Sequence, residues 1–540
     1  MLGGVQPLDP LAERPAMTVC RSAAVVCLLL AWEAAARAEE RPRLTVEQLQ
    51  ALIAAALPEA AFAPISDEQF LRRVTLDLIG RQPTAEELEE FLSAGTPHRR
   101  AAWIERLLAH PEFGRHWANY WSDTIAFRVP PPELTFLNYD PFKTWLAERL
   151  NAGAGWDEIV RAILSATGKV KDNPPVTFVA YHEAHPQRLA AETARIFLSL
   201  QISCAQCHDH PFDDWKREQF HELAAYFARA SVKFPWNEGA ETEVKDRGKG
   251  EYVMPDVADP TRKGTEMAPA FLTGEKLAKG KSDVERRQEL AVLIASPHNP
   301  WFARAYVNRV WARLMGRGFY EPVDDFGPAV TPVLPEVHEA LAREFRDSGF
   351  DIKGLFRLVV NTPAYQQQLP AQPSTADKPF AAAVASKLAG DQVFAALTTA
   401  LELPNITPPK MAPTKEVRFP PPPKSTRDLV AEAFAFDPSA RASDVARTLP
   451  QAMLMMNQEQ LQKQVDARPE SGTVLSRLLQ ASSDDRRVVE QLFVLLLSRR
   501  PSERELSVAL EHVASVGDRG AAFEDLLWSL LNTAEFTTRR

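Results

Sequence analysis

The chain has 540 residues and a mass of 60.2 kDa, more than a single hydrophobic core usually organises, so about two or three domains are expected. Hydrophobic residues make up 45% and charged residues 25%, which excludes global disorder. Lys plus Arg number 62 against 71 Asp plus Glu, and no basic run is long enough to form an electrostatic footprint for nucleic acid.

Near the start, Arg21 precedes the apolar run Ala23 to Trp32, followed by Ala36-Arg37-Ala38 and then Glu39. The run is far shorter than the roughly 20 residues of a spanning helix. The order of charge, apolar stretch and small-x-small site predicts an export signal over 1–38, in which Arg21 supplies the positive n-region if Met17 is the true start. Cys27 lies inside the apolar run instead of just after it, which argues against a lipoprotein signal. Removal of Cys20 and Cys27 with the signal leaves only Cys204 and Cys207, too few for a disulfide framework. The expected location is periplasmic, cell-surface or secreted, with no membrane-spanning helix in the mature chain.

From Thr45 the period is helical: Val46, Leu49, Leu52, Ile53, Ala56 and Leu57 share one face, Thr45 and Gln48 form a capping box, and Pro58 ends the helix. Ser66 with Gln69 opens the next helix, and helices continue through Trp103, Leu107, Phe113, Trp117 and Trp121. An internal repeat links Leu76–Leu88 to Val494–Leu506. In both, an apolar helix stops before Arg-x-Pro and a Thr84/Glu87 or Ser502/Glu505 capping box opens another, so 70–113 and 488–536 are predicted to form similar helical hairpins. The fold class is mainly α: a helical domain at 42–230, an irregular charged connector at 231–287, and a second helical domain at 288–536 with a Pro-rich loop at 403–424 containing Pro420 to Pro423.

The chemical signal is Cys204-Ala205-Gln206-Cys207-His208, between a helical stretch at 189–202 and another around Phe220 to Phe227. Two thiols three residues apart can each bond a haem vinyl group while the adjacent imidazole ligates iron, so Cys204, Cys207 and His208 are predicted to bind haem c covalently. A Cys204–Cys207 disulfide and a metal held by both thiols with His208 or His210 are the competing readings. A thioredoxin-like site lacks its βαβ surround. Asp209 and His210 are read as supporting the ligand or as packing. His182, His185 and His221, and farther off Met453, Met455 and Met456, are candidates for the second axial position. Asp77, Asp123, Asp324 and Asp325 are read as caps or ion-pair partners before acid–base groups, and the commonest hydrolase and nucleotide signatures are absent.

Phe70 to Thr84, Tyr120-Trp121-Ser122-Asp123 and Cys204 to Phe212 together resemble the planctomycete cytochrome-C-like domain of unknown function. Asn299 to Arg304, Val307-Asn308-Arg309-Val310-Trp311, Gly316-Arg317-Gly318 and Asp325-Phe326-Gly327, continued by Phe350 to Lys353 and Pro363-Ala364-Tyr365, resemble the planctomycete-specific secreted domain that commonly follows it. The chain departs from the first pattern at Ser165 to Gly168, where Gly-Asp is common, and at Ala126-Phe127, where an Arg-Tyr pair is common. The expected function is that of an exported c-type haem protein passing electrons to a partner or redox enzyme. The alternative is a haem-free surface or polymer-processing protein with a disulfide or a metal at the same segment.

Overall fold

Capping residues open many of the helices. Thr45, Ser66, Thr84, Ser282, Ser425, Thr448 and Ser502 each accept a hydrogen bond from the third residue of the helix they open, whose side chain returns one to the cap backbone. The computed structural model describes residues 43–57, 63–126, 139–234, 241–259, 261–368, 385–409, 423–441 and 444–539. The expected export signal, the helix stop at Pro58, Phe127 and Pro420 to Pro422 of the proline run lie outside the described residues.

The described residues hold 22 α-helices, and the fold is mainly α. The first half contains α1 (Val46–Ala56), α2 (Asp67–Ile79), α3 (Ala85–Ser93), α4 (Arg99–Ala109), α5 (Pro111–Ala126), α6 (Asp140–Asn151), α7 (Trp156–Ser165), α8 (Thr177–Tyr181), α9 (Pro186–Thr193) and α10 (Arg217–Ala224). The second contains α11 (Asp283–Ile294), α12 (Phe302–Met315), α13 (Pro335–Asp347), α14 (Ile352–Val360), α15 (Gly390–Leu401), α16 (Thr426–Ala433), α17 (Leu449–Asn457), α18 (Glu459–Val465), α19 (Val474–Ala481), α20 (Asp485–Leu497), α21 (Glu503–Val516) and α22 (Arg519–Leu531). No helix among the described residues is long and apolar enough to cross a membrane.

The connector at 231–287 is more ordered than its composition suggests. β1 (Gly168–Lys169), β3 (Glu243–Asp246) and β2 (Ala230–Lys233) form an antiparallel sheet in the order β1-β3-β2, with Val232 opposite Val244. β4 (Tyr252–Met254) pairs antiparallel with β5 (Thr265–Met267). α11 begins inside the same stretch because Arg286 and Arg287, charged in sequence, are buried. Arg287 donates to Asp283 and to the Leu164 and Ala166 carbonyls, and Arg286 to Glu251 and the Ala225 carbonyl.

Two cores carry the unit formed by Thr45–Arg540. In one, aromatic rings from four helices stack: Trp121 of α5 lies 4.2 Å from Trp156 of α7 and 5.4 Å from Tyr306 of α12, which lies 4.7 Å from Phe345 of α13. All four are buried, and removing one such ring costs about 3–5 kcal/mol. The other core gathers Val393, Leu397, Leu492, Leu496, Phe523 and Leu527 around Leu76 of α2. The last strands, β6 (Ser386–Lys387) and β7 (Thr538–Arg539), pair antiparallel and bring the C-terminal segment back against α2.

Candidate functional site

α9 does not run on to Ile202 as its apolar spacing predicts. It passes into one π-helical turn, Ala194–Leu198, and stops at Ser199 in the left-handed conformation (φ 55°). The wider turn points Arg195 inward, where it donates to Glu192, to the Thr124 carbonyl and to Asp324 at 3.1 Å. Asp324 also accepts from Gln201 at 3.0 Å, which fixes the chain just before the cysteines.

Ser203–Gln206 then forms a 3₁₀ turn, and Cys207 follows it. At three residues per turn, positions i and i+3 eclipse, so the turn sets Cys204 and Cys207 on one side while Ala205 is buried on the other. Both thiols are free and exposed.

His208 is exposed, and its Nδ1 lies 2.7 Å from the Asp209 carbonyl oxygen. A carbonyl only accepts, so Nδ1 carries the proton and the lone pair of the neutral ring is on Nε2, the ligand-ready form. His210 is set the other way: its Nδ1 accepts from the Phe212 amide at 3.3 Å, which leaves the ring proton on Nε2. The loop closes through the His210 amide on the Trp215 carbonyl at 2.8 Å. Asp209 accepts from the Arg217 amide at 3.1 Å and from Lys216 at 3.0 Å, tying the loop to the start of α10. Those hydrogen bonds hold the Asp209 carboxyl below the usual carboxylate range.

His221 sits beneath the turn, fully buried. Its Nε2 donates to the Gln206 carbonyl at 2.9 Å, and its Nδ1 accepts from the Tyr252 hydroxyl at 2.7 Å. Both ring nitrogens are occupied, so His221 braces the backbone of the cysteine turn and is not placed to ligate iron.

Residues 49–232 match PSCyt2, a protein of unknown function (DUF1549), and residues 286–513 match PSD1, a protein of unknown function (DUF1553). The chain joins a PSCyt2 domain to a PSD1 domain. No curated protein and no solved structure matches it.

The remaining axial candidates are dispersed. In the PSCyt2 domain, His182 is packed between Phe178 and Tyr181, its Nε2 buried without a partner, and burial pushes its pKa down to about 4. His185 occupies the N-cap position of α9 without a capping hydrogen bond from its side chain. In the PSD1 domain, Met455 packs in the C-terminal core, while Met453 and Met456 are exposed on the same helix. Among the described residues no group of three or more His, Cys, Asp or Glu is gathered to hold a metal ion.

The carboxylates separate into two kinds. Asp77 accepts from Arg539 at 2.6 Å and from the Tyr365 hydroxyl at 2.6 Å, Asp324 pairs with Arg195, and Asp325 accepts from the Gly327 amide at 2.8 Å. Among the described residues Asp123 makes no hydrogen bond or ion pair, and it faces a cleft. Sequence reading passes over that cleft because its walls come from distant parts of the chain.

A haem fits the donor set at 204–208, with two thiols on one side of a turn and a lone pair on the adjacent His208 Nε2. The surroundings supply little apolar cover, because Gln206, Asp209, Pro211 and Asp214 are exposed and Phe212 retains 79% of its accessible surface.

Proposed function

We propose that Cys204 and Cys207 bind haem covalently through thioethers, with His208 Nε2 as axial ligand, and that the protein is an exported electron carrier. The observation that carries this reading is the His208 Nδ1–H bond to the Asp209 carbonyl. It holds the ring in the tautomer that a haem iron requires, beside two free thiols on one side of a 3₁₀ turn. When bound, haem supplies a one-electron couple. Asp209 orients His208 through its backbone and anchors the loop through its carboxylate, and His221 keeps the Gln206 carbonyl in place. The exposure of the segment favours exchange with a protein partner over chemistry on a buried substrate. Export is supported by the charge-apolar-small order at 21–38 and by the compartment in which c-type attachment takes place.

Expression in a host with haem-attachment machinery tests the reading. The expected protein shows a Soret band and a haem mass on the peptide spanning Cys204 to His208, stable to acid extraction. A peptide with only a disulfide or two free thiols, and no Soret band, overturns it.

A further inference from the structure

Several buried arginines among the described residues hold their guanidinium groups against carbonyls and carboxylates. Arg72 donates to Gln82 and to the Glu535 and Phe536 carbonyls, Arg73 to the Tyr365 and Gln367 carbonyls, and Arg539 to Asp77. Arg313 of α12 does not. It is half-buried, stacks 5.4 Å from the Tyr120 ring centroid, and makes no hydrogen bond or ion pair among the described residues.

Its guanidinium borders a cleft of about 260 Å³ between α5 and α6 of the PSCyt2 domain and α12, α15 and α16 of the PSD1 domain. Lys143, Asp123 and His116 face the same space, and none of them has a hydrogen bond or ion pair within the described residues either. Gly390, Asp391 and Gln392, the first turn of α15, form another wall, with Asp391 turned to Arg427 at 3.5 Å. The wall is built by close packing: a Cβ on Gly390 would lie 2.5 Å from the Ala431 Cα, so only glycine lets α15 approach α16 this closely. Phe434 and Phe436 close the apolar side.

Ligand sites are clefts on which a few polar groups left unpaired by the fold converge. Here Asp123 is exposed and Arg313, Lys143 and His116 are half-buried, and these four groups, two basic and one acidic beside an imidazole, converge on one cleft without partners among the described residues, so the fold leaves them to what enters it. We propose that this cleft binds a small hydroxylated organic anion, whose oxyanion is held by Arg313 and Lys143 and whose hydroxyl groups donate to Asp123. A carboxylate and a phosphate ester share that chemistry. The inference does not depend on the haem reading, since no residue is common to the two sites.

Calorimetric titration of the full chain with gluconate and with glycerol 3-phosphate tests it and distinguishes the two sources, with acetate (anion without hydroxyls) and glucose (hydroxyls without anion) as controls. Saturable binding of at least one hydroxylated anion, tighter than both controls, is expected. Arg313→Ala and Lys143→Met should each weaken it roughly 10- to 100-fold, the range of one charge-assisted hydrogen bond. The near-isosteric Asp123→Asn should weaken it without loss of the fold. Phenylglyoxal should modify Arg313, read on its peptide by mass spectrometry, and the bound anion should slow that modification. Absence of saturable binding by both anions, equal binding of either control, or unchanged affinity in Arg313→Ala and Lys143→Met overturns the assignment.

Discussion

Arg81 and Arg499 occupy equivalent places in the two halves of the chain. Arg81 binds Glu87 of its capping box at 2.7 Å and Glu112 at 2.8 Å, while Arg499 binds Glu505 at 2.8 Å and Glu535 at 2.8 Å. Each arginine follows a helix whose C-cap is left-handed, Gly80 at φ 77° and Ser498 at φ 56°, and each joins the next helix start to a later Glu-Phe pair, Glu112-Phe113 or Glu535-Phe536. The two hairpins also meet: Gln82 donates to the Leu495 carbonyl at 2.6 Å, and Arg72 to the Glu535 carbonyl at 3.0 Å.

Substitution of either arginine by alanine removes the guanidinium from two partly buried carboxylates, of which the capping-box glutamate keeps only its cap donors. A loss of about 1–3 kcal/mol is expected for each in urea unfolding, larger for the better-buried Arg81. The Arg499 contribution is pH-dependent. Hydrogen bonds from Arg499 hold Glu505 at about 2 against an ordinary 4.5, so the stabilisation is complete above 4.5 and disappears as pH falls toward 2. Wild type and Arg499→Ala should therefore converge in melting temperature over that acid range. A constant gap across it contradicts the assignment.

These hairpins were legible because their determinants are local: Arg-x-Pro, a capping serine or threonine, and a glutamate three residues on. The sheet β1-β3-β2 was not legible, since two residues at 168–169 pair with a strand more than seventy positions later and short polar strands carry no period of their own. α11 started earlier than expected because Arg286 and Arg287 read as surface residues, whereas distant carbonyls bury them. The cysteine turn is contiguous and was found whole. The bracing role of His221 depends on Tyr252 and a backbone carbonyl, and the cleft around Arg313 depends on residues from 116 to 436, which no short motif displays.

His221 is expected to matter to the turn more than to any ligand. His221→Phe keeps the aromatic volume and removes the short bonds to the Tyr252 hydroxyl and to the Gln206 carbonyl, which keeps only a longer bond from Arg217 at 3.4 Å. A destabilisation of about 1–3 kcal/mol should appear, together with faster hydrogen exchange confined to 203–210 and α10. Unchanged exchange in that segment would remove the bracing role.

Asp123 gives the cleft a pH signature independent of any ligand. It is open to cleft water yet crowded by protein, and burial pushes its carboxyl up to about 6 from 3.8. Lys143 of α6, Arg313 of α12 and Arg427 of α16 act against that rise, and Asp391 of α15 adds to it. The folded chain binds this proton more tightly than the unfolded chain, so the group costs stability as pH rises from 3.8 through 6. Asp123→Asn removes the charge and the cost. Melting temperatures of wild type should fall relative to Asp123→Asn between pH 4 and pH 7; parallel curves would show that the carboxyl is not held in such a setting.

The two neighbouring histidines provide the sharpest test of the haem reading, because the backbone fixes their protons in opposite places. His208 offers a lone pair at Nε2, while His210 accepts a backbone amide at Nδ1 and carries its proton on Nε2. In haem-competent cells, His208→Ala should retain the haem mass on the Cys204–Cys207 peptide, since the thioethers do not involve the imidazole, but its Soret and visible bands should shift with loss of the axial nitrogen. His210→Ala should keep the wild-type spectrum and attachment and lose only the Phe212 amide contact. Equal spectral change in the two variants would mean that the loop rearranges on attachment and that His208 is not singled out by its tautomer. A change in His210→Ala alone would assign the iron to His210.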